Sequence, residues 1–558
     1  MSQRNKNNNG EQGTPHPMTK SPEIEWLQRK WALPESAVGA VLELVREEGG
    51  GSTACEIVDP ITDWGNAASA AHEGLPTPLV VVENGGIRYL QSRRLYRAEL
   101  DIATRILEMA AKEIPWPDAS WDQGLFPESE KDDLQAAAAR MALSRQLTVI
   151  TGGPGTGKTY TLARILALLV ASGVPANAIR LAAPTGKAAD RMKKAVSDSL
   201  SGLPAGFEHH LDALARIAES SSTLHALLGY HPGDGVCRFD AGHRLPCSVL
   251  IVDECSMVDV LLWRALLEAL PDEARLVVIG DPNQLESVGQ GNVLAELARA
   301  ARRSKLAHIH LTEARRFQER PDILSFARAL EQSDADAAVK LLEDTKAAPG
   351  SRGLAWLETS GGAFDCAAFP PAILAALEKG ARAGTPQDAL EALGKVCILT
   401  AQREYFVGSK AMSAAIDQYI SRQPGVRNQP VIINHNDPET GLRNGTVGVI
   451  HTSSDEKRKA WFPAGDGTLK EFPVAKLPDF SPAWAITIHR SQGSEFDDVL
   501  VILPREESPM ATRELLYTAI TRAKQNVTVV GDLKTVRRAT LKTSQRTTLL
   551  AAHLGCAG

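Results

Sequence analysis

The residues with the plainest chemistry run Gly152-Gly153-Pro154-Gly155-Thr156-Gly157-Lys158-Thr159-Tyr160. Gly152, Gly157, Lys158 and Thr159 fit the spacing G-x-x-x-x-G-K-[ST], that of a loop that cradles phosphates. Glycines leave room for phosphate oxygens and let backbone N–H groups converge on them. Lys158 adds a mobile cation for β- and γ-phosphates. The Thr159 hydroxyl can ligate Mg²⁺, which keeps its other positions for water and phosphate. The candidate nucleotide contacts therefore run from Gly152 to Tyr160.

Two further groups fit beside that loop. Asp253 and Glu254 close an apolar run, Val249 to Val252. At the carboxyl end of a strand they would face the crevice beside the phosphates. Asp253 is then the natural Mg²⁺ holder, and Glu254 the acceptor for a proton from an attacking water. Read in isolation, the pair could also be a helix N-cap and a first-turn acid. Gln284 follows a second apolar run, Leu276 to Ile279, and the turn Asp281-Pro282. Its amide can donate and accept, which suits a γ-phosphate sensor.

The elements that must hold these groups are legible in the periodicity. Leu147 to Ile150 is a strand. Leu162, Ile165, Leu166 and Leu169 recur at helical spacing, so the loop joins strand to helix and the helix points its positive end at the anion. Strand-like runs at Ile179 to Ala183, Ser248 to Val252 and Arg275 to Ile279 alternate with helical ones, the pattern of a parallel sheet covered on both faces. A second series follows: Val396 to Thr400, Val499 to Leu503 and Asn526 to Val530, with a helix from Arg513 to Lys524. Two α/β cores are therefore expected, only one with a phosphate loop. Asn444-Gly445 and the short strand patterns after it suggest a small antiparallel barrel inserted in the second core. Near the start, Asn84-Gly85-Gly86 reads as a hairpin turn after Leu79 to Val82, and Arg93 to Met109 as a long amphipathic helix.

The expected division is a disordered tail over 1–22, an N-terminal accessory or partner-docking unit over 23–125, and a first core over 126–340. A variable connection over 341–394 and a second core over 395–558, with its insert at about 430–480, complete it. Pro115 to Pro127 reads as a linker. At 558 residues the length prior is roughly three to four domains. The net charge of −6 excludes a polycation, so any nucleic-acid contact must come from a local groove. Seven dispersed cysteines without a CxxC pair argue against zinc and suit a reducing compartment. No apolar run reaches membrane-spanning length and the N-terminus has no signal-peptide core, so a soluble cytoplasmic protein is expected.

These motifs, in this order, resemble superfamily 1 helicases, and within them the RecD family, the alpha subunits of exodeoxyribonuclease V. Eight blocks carry the resemblance: Gln135; GGPGTGKT (152–159); APTGKAADRM (183–192); TLHALLGY (223–230); IVDECSMVD (251–259); GDPNQLESVGQG (280–291); TIHRSQGSEFDDVLVILP (487–504); and LLYTAITRAKQNVTVVGD (515–532). The resemblance implies two RecA-like cores, a mostly helical N-terminal domain and the small β-barrel insert. It also implies roles. Gln135 would read adenine, Gln284 would contact the γ-phosphate, and Glu495 would lie near the ribose. Arg316 would reach the phosphates from the first core and Arg522 from the second, a guanidinium being always charged and forked. Arg315 stands just before Arg316, where the family carries an aromatic or apolar residue. Thr185, Lys187, Thr223, His225, Arg403, Thr487 and His489 fall in blocks that line the family's DNA groove. Any one of them could instead be a cap or a satisfied core residue.

By the same resemblance the chain uses ATP and Mg²⁺, acts on single strands and duplex ends, and moves 5′ to 3′. It would work in a heterotrimer with RecB-like and RecC-like subunits, with nuclease activity on a partner chain. A stand-alone helicase of the same branch, or a nucleotide-binding subunit that does not unwind, are the rival readings.

Overall fold

The computed structural model describes residues 22–555 except 59–60, 62, 71–75, 116–124, 127–132, 205, 232–234, 305, 314–319, 346–352, 359–365, 465–466 and 505–506. Residues 1–21 of the tail expected over 1–22, most of the linker after Pro115, and Arg315 and Arg316 lie outside the described residues, while Pro22 already begins a helix.

The first core is a six-stranded parallel sheet. Its strands are β1 (Leu147–Gly152), β2 (Ile179–Ala183), β3 (Ser222–Thr223), β4 (Val249–Val252), β5 (Arg275–Gly280) and β6 (His308–Leu311), in the order β6-β1-β5-β4-β2-β3. Successive side chains of a strand point to opposite faces. Leu250, Val252, Leu276 and Val278 thus enter one apolar cluster, and Val249, Ile251, Val277 and Ile279 the other. Each such residue contributes about 1.5–3 kcal/mol of burial, so both faces are fixed. The register matters for function: Val252 lies opposite Val278, and Gly280 opposite Thr151. The turns after β1, β4 and β5 therefore emerge at one edge.

The second core is a five-stranded parallel sheet of β7 (Leu354–Leu357), β8 (Val396–Thr400), β9 (Ala485–Thr487), β10 (Phe496–Ile502) and β11 (Ala523–Val530), in the order β7-β11-β10-β8-β9. Helices Pro321–Glu331 and Ala335–Thr345 place Ile323, Phe326, Leu330 and Leu342 in its apolar cluster, although all but Leu342 fell within the expected first core. Strand β7 comes from the expected connection, and the Trp356 indole N–H donates to Gly531 O at 2.9 Å. The helix Arg513–Ile520 is shorter than expected, because β11 already starts at Ala523.

The insert is an antiparallel five-stranded sheet of Asn428–Ile433, Val447–Thr452, Arg458–Ala464, Thr468–Pro473 and Phe480–Pro482, around Val431, Ile433, Ile450 and Phe462. Thr468–Pro473 and Phe480–Pro482 are its two edges, and among the described residues no pairing joins them into a closed barrel.

The N-terminal unit carries more strand than expected. Helices Pro22–Trp31 and Glu35–Gly49 accompany a four-stranded sheet, whose hairpin turns at Gly85-Gly86 with φ of 59° and 81°. Both central residues of that turn need positive φ, as a type I′ turn demands. The long helix Arg93–Ala110 leaves this unit and buries Ile102, Ile106 and Met109 in the first core's cluster with Trp263. After helix Leu533–Leu541 the chain returns as a strap, where Thr547 O accepts from Thr53 N at 2.8 Å and Arg546 grips Ser287 O at 2.7 Å. Among the described residues no helix is long and apolar enough to cross a membrane.

Candidate functional site

The phosphate loop leaves β1 at Gly152 and enters the helix Lys158–Ala171. Gly155 and Gly157 adopt φ of 77° and 82°. A side chain at Gly157 would overlap the Gln135 amide, so the loop closes only on glycine. Lys158 Nζ donates to Gly152 O at 2.6 Å and Gly153 O at 2.9 Å. Its ammonium rests on its own loop, within reach of the space where a phosphate would displace it. Thr159 faces the same space, a cleft of about 230 Å³ also lined by Pro154, Gly155, Asp253 and Glu254. Tyr160 is not among the lining residues; the Arg164 guanidinium stacks on its ring.

Asp253 and Glu254 leave the end of β4 as the sequence pattern requires. The N-cap reading fails, because the short 3-10 helix Cys255–Met257 that follows has no side-chain cap, and the next helix, Val260–Ala269, is capped by Asp259, whose carboxylate accepts from Leu262 N at 2.9 Å. Asp253 Oδ1 instead accepts from Glu254 N at 2.8 Å. Glu254 holds φ of 54°, a left-handed conformation that costs a non-glycine residue about 1–3 kcal/mol and is typical of sites where a side chain must be aimed. Burial, and next the adjacent Glu254 carboxylate, push the Asp253 carboxyl up to about 6.

The opposite wall belongs to the second core. Arg522, 2% exposed, lies in the turn between helix Arg513–Ile520 and β11 and lines the cleft with Gln284. Its Nη2 donates to Gln284 Oε1 at 2.8 Å, its Nε to Thr518 O at 3.2 Å and its Nη1 to Ser494 O at 3.4 Å. Gln284 Nε2 donates to Asp281 Oδ2 at 3.3 Å, and the buried Tyr517 hydroxyl donates to the same oxygen at 3.1 Å. Leu285 N donates to Thr518 Oγ1 at 2.8 Å. The two cores thus meet along one hydrogen-bonded seam at the cleft.

Glu495 also lines the cleft, ion-paired to Arg191 of the first core's helix Gly186–Leu200. Gln135 is placed differently from a free adenine reader. It is 3% exposed, its Nε2 donates to Thr156 O at 2.9 Å, its buried Oε1 has no partner among the described residues, and it does not line the cleft. The donor half of the amide is thus spent on the loop. The sequence pattern did not single out Arg191, offered Asp281 only as turn chemistry, and passed over Tyr517. The first two lie inside the APTGKAADRM and GDPNQLESVGQG blocks, and Tyr517 inside LLYTAITRAK.

Of the groove candidates, Arg403, Thr487 and His489 line one open groove of about 970 Å³ with Arg490. Lys187 begins the helix across from it. Burial holds its ammonium down to about 8, with Arg490 pushing the same way against Cys397. Arg443 of the insert lies over Gly186, where a side chain would come within 2.6 Å of its Nη1. Lys187, Arg403, Arg443 and Arg490 make a basic tract on a chain of net negative charge, the footprint expected of a local phosphate-binding groove. Arg443 and Arg490 were not singled out from sequence. Thr185 and Thr223 are N-caps, accepting from Ala188 N at 3.3 Å and Ala226 N at 3.1 Å. Thr223 and His225 do not line this groove; His225 meets Tyr230 edge-on, ring centroids 5.2 Å apart.

Comparison with known proteins bears on most of the chain. Residues 135–290 match the AAA domain family, and residues 482–530 the UvrD-like helicase C-terminal domain. RecBCD enzyme subunit RecD of Mycolicibacterium smegmatis is 38% identical over 438 residues, 76% of this chain and 75% of that protein. This chain belongs to the RecD family. The RecD subunit of Mycobacterium tuberculosis strain H37Rv is 34% identical over 514 residues, 90% of this RecD-family chain and 85% of its relative. The crystal structure of Pif1 helicase from Candida albicans is similar with a TM-score of 0.41 and 17% identity, over 72% of this chain and 96% of that one.

Proposed function

We propose that this chain is an ATP-dependent DNA helicase and translocase, the motor subunit of a RecBCD-type exodeoxyribonuclease V complex. On this reading it acts in the cytoplasm on duplex ends in break repair and recombination. It tracks single strands 5′ to 3′, and its RecB-like and RecC-like partners hold the nuclease chemistry. The observation that carries the reading is Arg522: a second-core guanidinium buried in the same cleft as Lys158, bonded to Gln284. A kinase or GTPase needs no second core; a motor needs fuel that draws two lobes together.

The roles follow from placement. Lys158 and the loop amides hold the β- and γ-phosphates. Thr159 and Asp253 would hold Mg²⁺, which would neutralise phosphate charge. Glu254 accepts the proton of the attacking water, Gln284 senses the γ-phosphate, and Arg522 stabilises charge as the bond breaks. Glu495, with Arg191, would lie near the ribose, and Arg316 would be the arginine that reaches the phosphates from the first core's side. Closure on ATP and release after hydrolysis alternate the grip of the two lobes on a strand lying across Lys187, Arg403 and Thr487. The fold serves this reading as an N-terminal docking unit, a first core ending near Leu311 and a second core starting near Pro321.

The test compares the assembled complex carrying Lys158→Ala with the wild type. Strand-stimulated ATPase and unwinding of 5′-tailed duplexes should fall about a thousandfold in the share due to this subunit. Unchanged activity would favour the non-unwinding subunit instead.

A further inference from the structure

We propose that Tyr405 and Phe406 form a stacking platform for a nucleobase of the single strand carried in the adjoining basic groove; this rests on the function proposed above. Strands β8, β9 and β10 are parallel, so the loops after them share one edge of the second core. That edge carries Arg403 after β8 and Thr487 at the end of β9, both lining the groove. Two residues beyond Arg403, Tyr405 is 78% exposed and Phe406 67% exposed. Aromatic rings with this much accessible face can receive a stacked base.

The loop presents them deliberately. Thr400 Oγ1 donates to Gln402 O at 2.9 Å, Ser409 N to the same oxygen at 2.9 Å, and Gly408 N to Tyr405 O at 3.0 Å. The Gln402 amide also bonds Ser508 of the loop after β10. Tyr405 takes φ of 77°, a backbone glycine adopts freely and tyrosine only against steric resistance. A pinned loop with a strained aromatic at its tip is preorganised, so little entropy is lost on binding.

Beside the rings lies a cavity of about 410 Å³, walled by Ile502, Pro504 and Pro509. Ala401, Gln402 and Pro509 line both this cavity and the basic groove, so the two adjoin. A strand whose phosphate rests on Arg403 would bring its base to an apolar, aromatic wall. Every base has a π-face, so such a platform grips without reading sequence.

The strain at Tyr405 supplies a clean variant. Tyr405→Gly relieves the left-handed backbone, so it should fold with an unchanged or higher thermal midpoint. Combined with Phe406→Ala in the full chain, it should weaken binding of an oligothymidine about tenfold. A 2-aminopurine walked along the oligonucleotide should be quenched at one position by the wild type and by Phe406→Tyr, and not by the double variant. Arg403→Ala should weaken binding yet keep that quench in the bound fraction. Unchanged affinity and quench in the double variant overturn the proposal. If the same variant then fails to assemble with its partner subunits, the rings form a protein-docking surface instead. A wild-type chain that binds no single strand would sink the helicase reading and this inference together.

Discussion

In the first core the residues that face the nucleotide cleft all follow strands, whereas in the second they precede them. Lys158 comes after β1, Asp253 and Glu254 after β4, and Gln284 after β5; Glu495 sits before β10 and Arg522 before β11. The second core's own carboxyl edge faces the groove, with Arg403 and Thr487. The difference is physical. The carboxyl edge of a parallel sheet leads into helix N-termini, whose free N–H groups can cradle an anion with backbone alone. The amino edge offers no such cradle, so the second core reaches the cleft with side chains. That explains why one core carries a glycine-dense loop and the other a single buried guanidinium.

The largest effect should come from separating these two modes of contact. Lys158→Ala removes a phosphate ligand and should weaken binding of a fluorescent ATP analogue as well as turnover. Arg522→Gln should leave analogue binding within a fewfold of wild type but lower kcat about a thousandfold, the arginine acting only as charge develops. Equal losses of binding in both variants would show the two walls to be equivalent, and the contrast between the cores would fall.

A smaller effect belongs to the first core alone. With Asp253 held up near 6, the carboxylate proposed to hold Mg²⁺ would be lost as pH drops through that value. The log of kcat/KM for ATP should fall by about one per pH unit below 6. Stability should run the other way. An acid whose folded pKa lies above its unfolded one binds more protons when folded, so its contribution is present below about 4 and lost as pH rises to 6. Thermal midpoints of the nucleotide-free chain should thus decline over the range where activity rises, and Asp253→Asn should flatten that decline.

Much of this contrast was legible in the residues. The loop spacing gave the first core's cradle, and the apolar runs gave strands whose registers align the turns. The hairpin at Gly85-Gly86 and the helix Arg93–Ala110 also stand where the pattern put them. What escaped was set by long-range pairing. Strand β7 is four residues long and pairs with Val527 to Val530, far along the chain. The helices over 321–345 are amphipathic, but amphipathicity does not say which core receives the apolar face. The carbonyl that engages Gln135 belongs to Thr156, and Glu495 is paired with Arg191 of the other lobe, contacts only the assembled fold creates.

The smallest expected effect tests whether the groove candidates differ between cores. Thr185 and Thr223 each cap a helix, while Thr487 makes no cap bond despite preceding the helix Ile488–Ser491. Thr185→Ala and Thr223→Ala should each cost about 1 kcal/mol in urea unfolding, and Thr487→Ala a few tenths at most. Aspartate separates the cap from the DNA contact. Thr185→Asp keeps a capping oxygen and adds negative charge at a helix N-terminus, so stability should hold or rise. The same carboxylate beside Lys187 would repel a phosphate, so strand affinity should drop and the loss should shrink at high salt. If Thr185→Asp keeps both stability and affinity, Thr185 is a cap and nothing more, and the strand's phosphates rest on the second core's side of the groove.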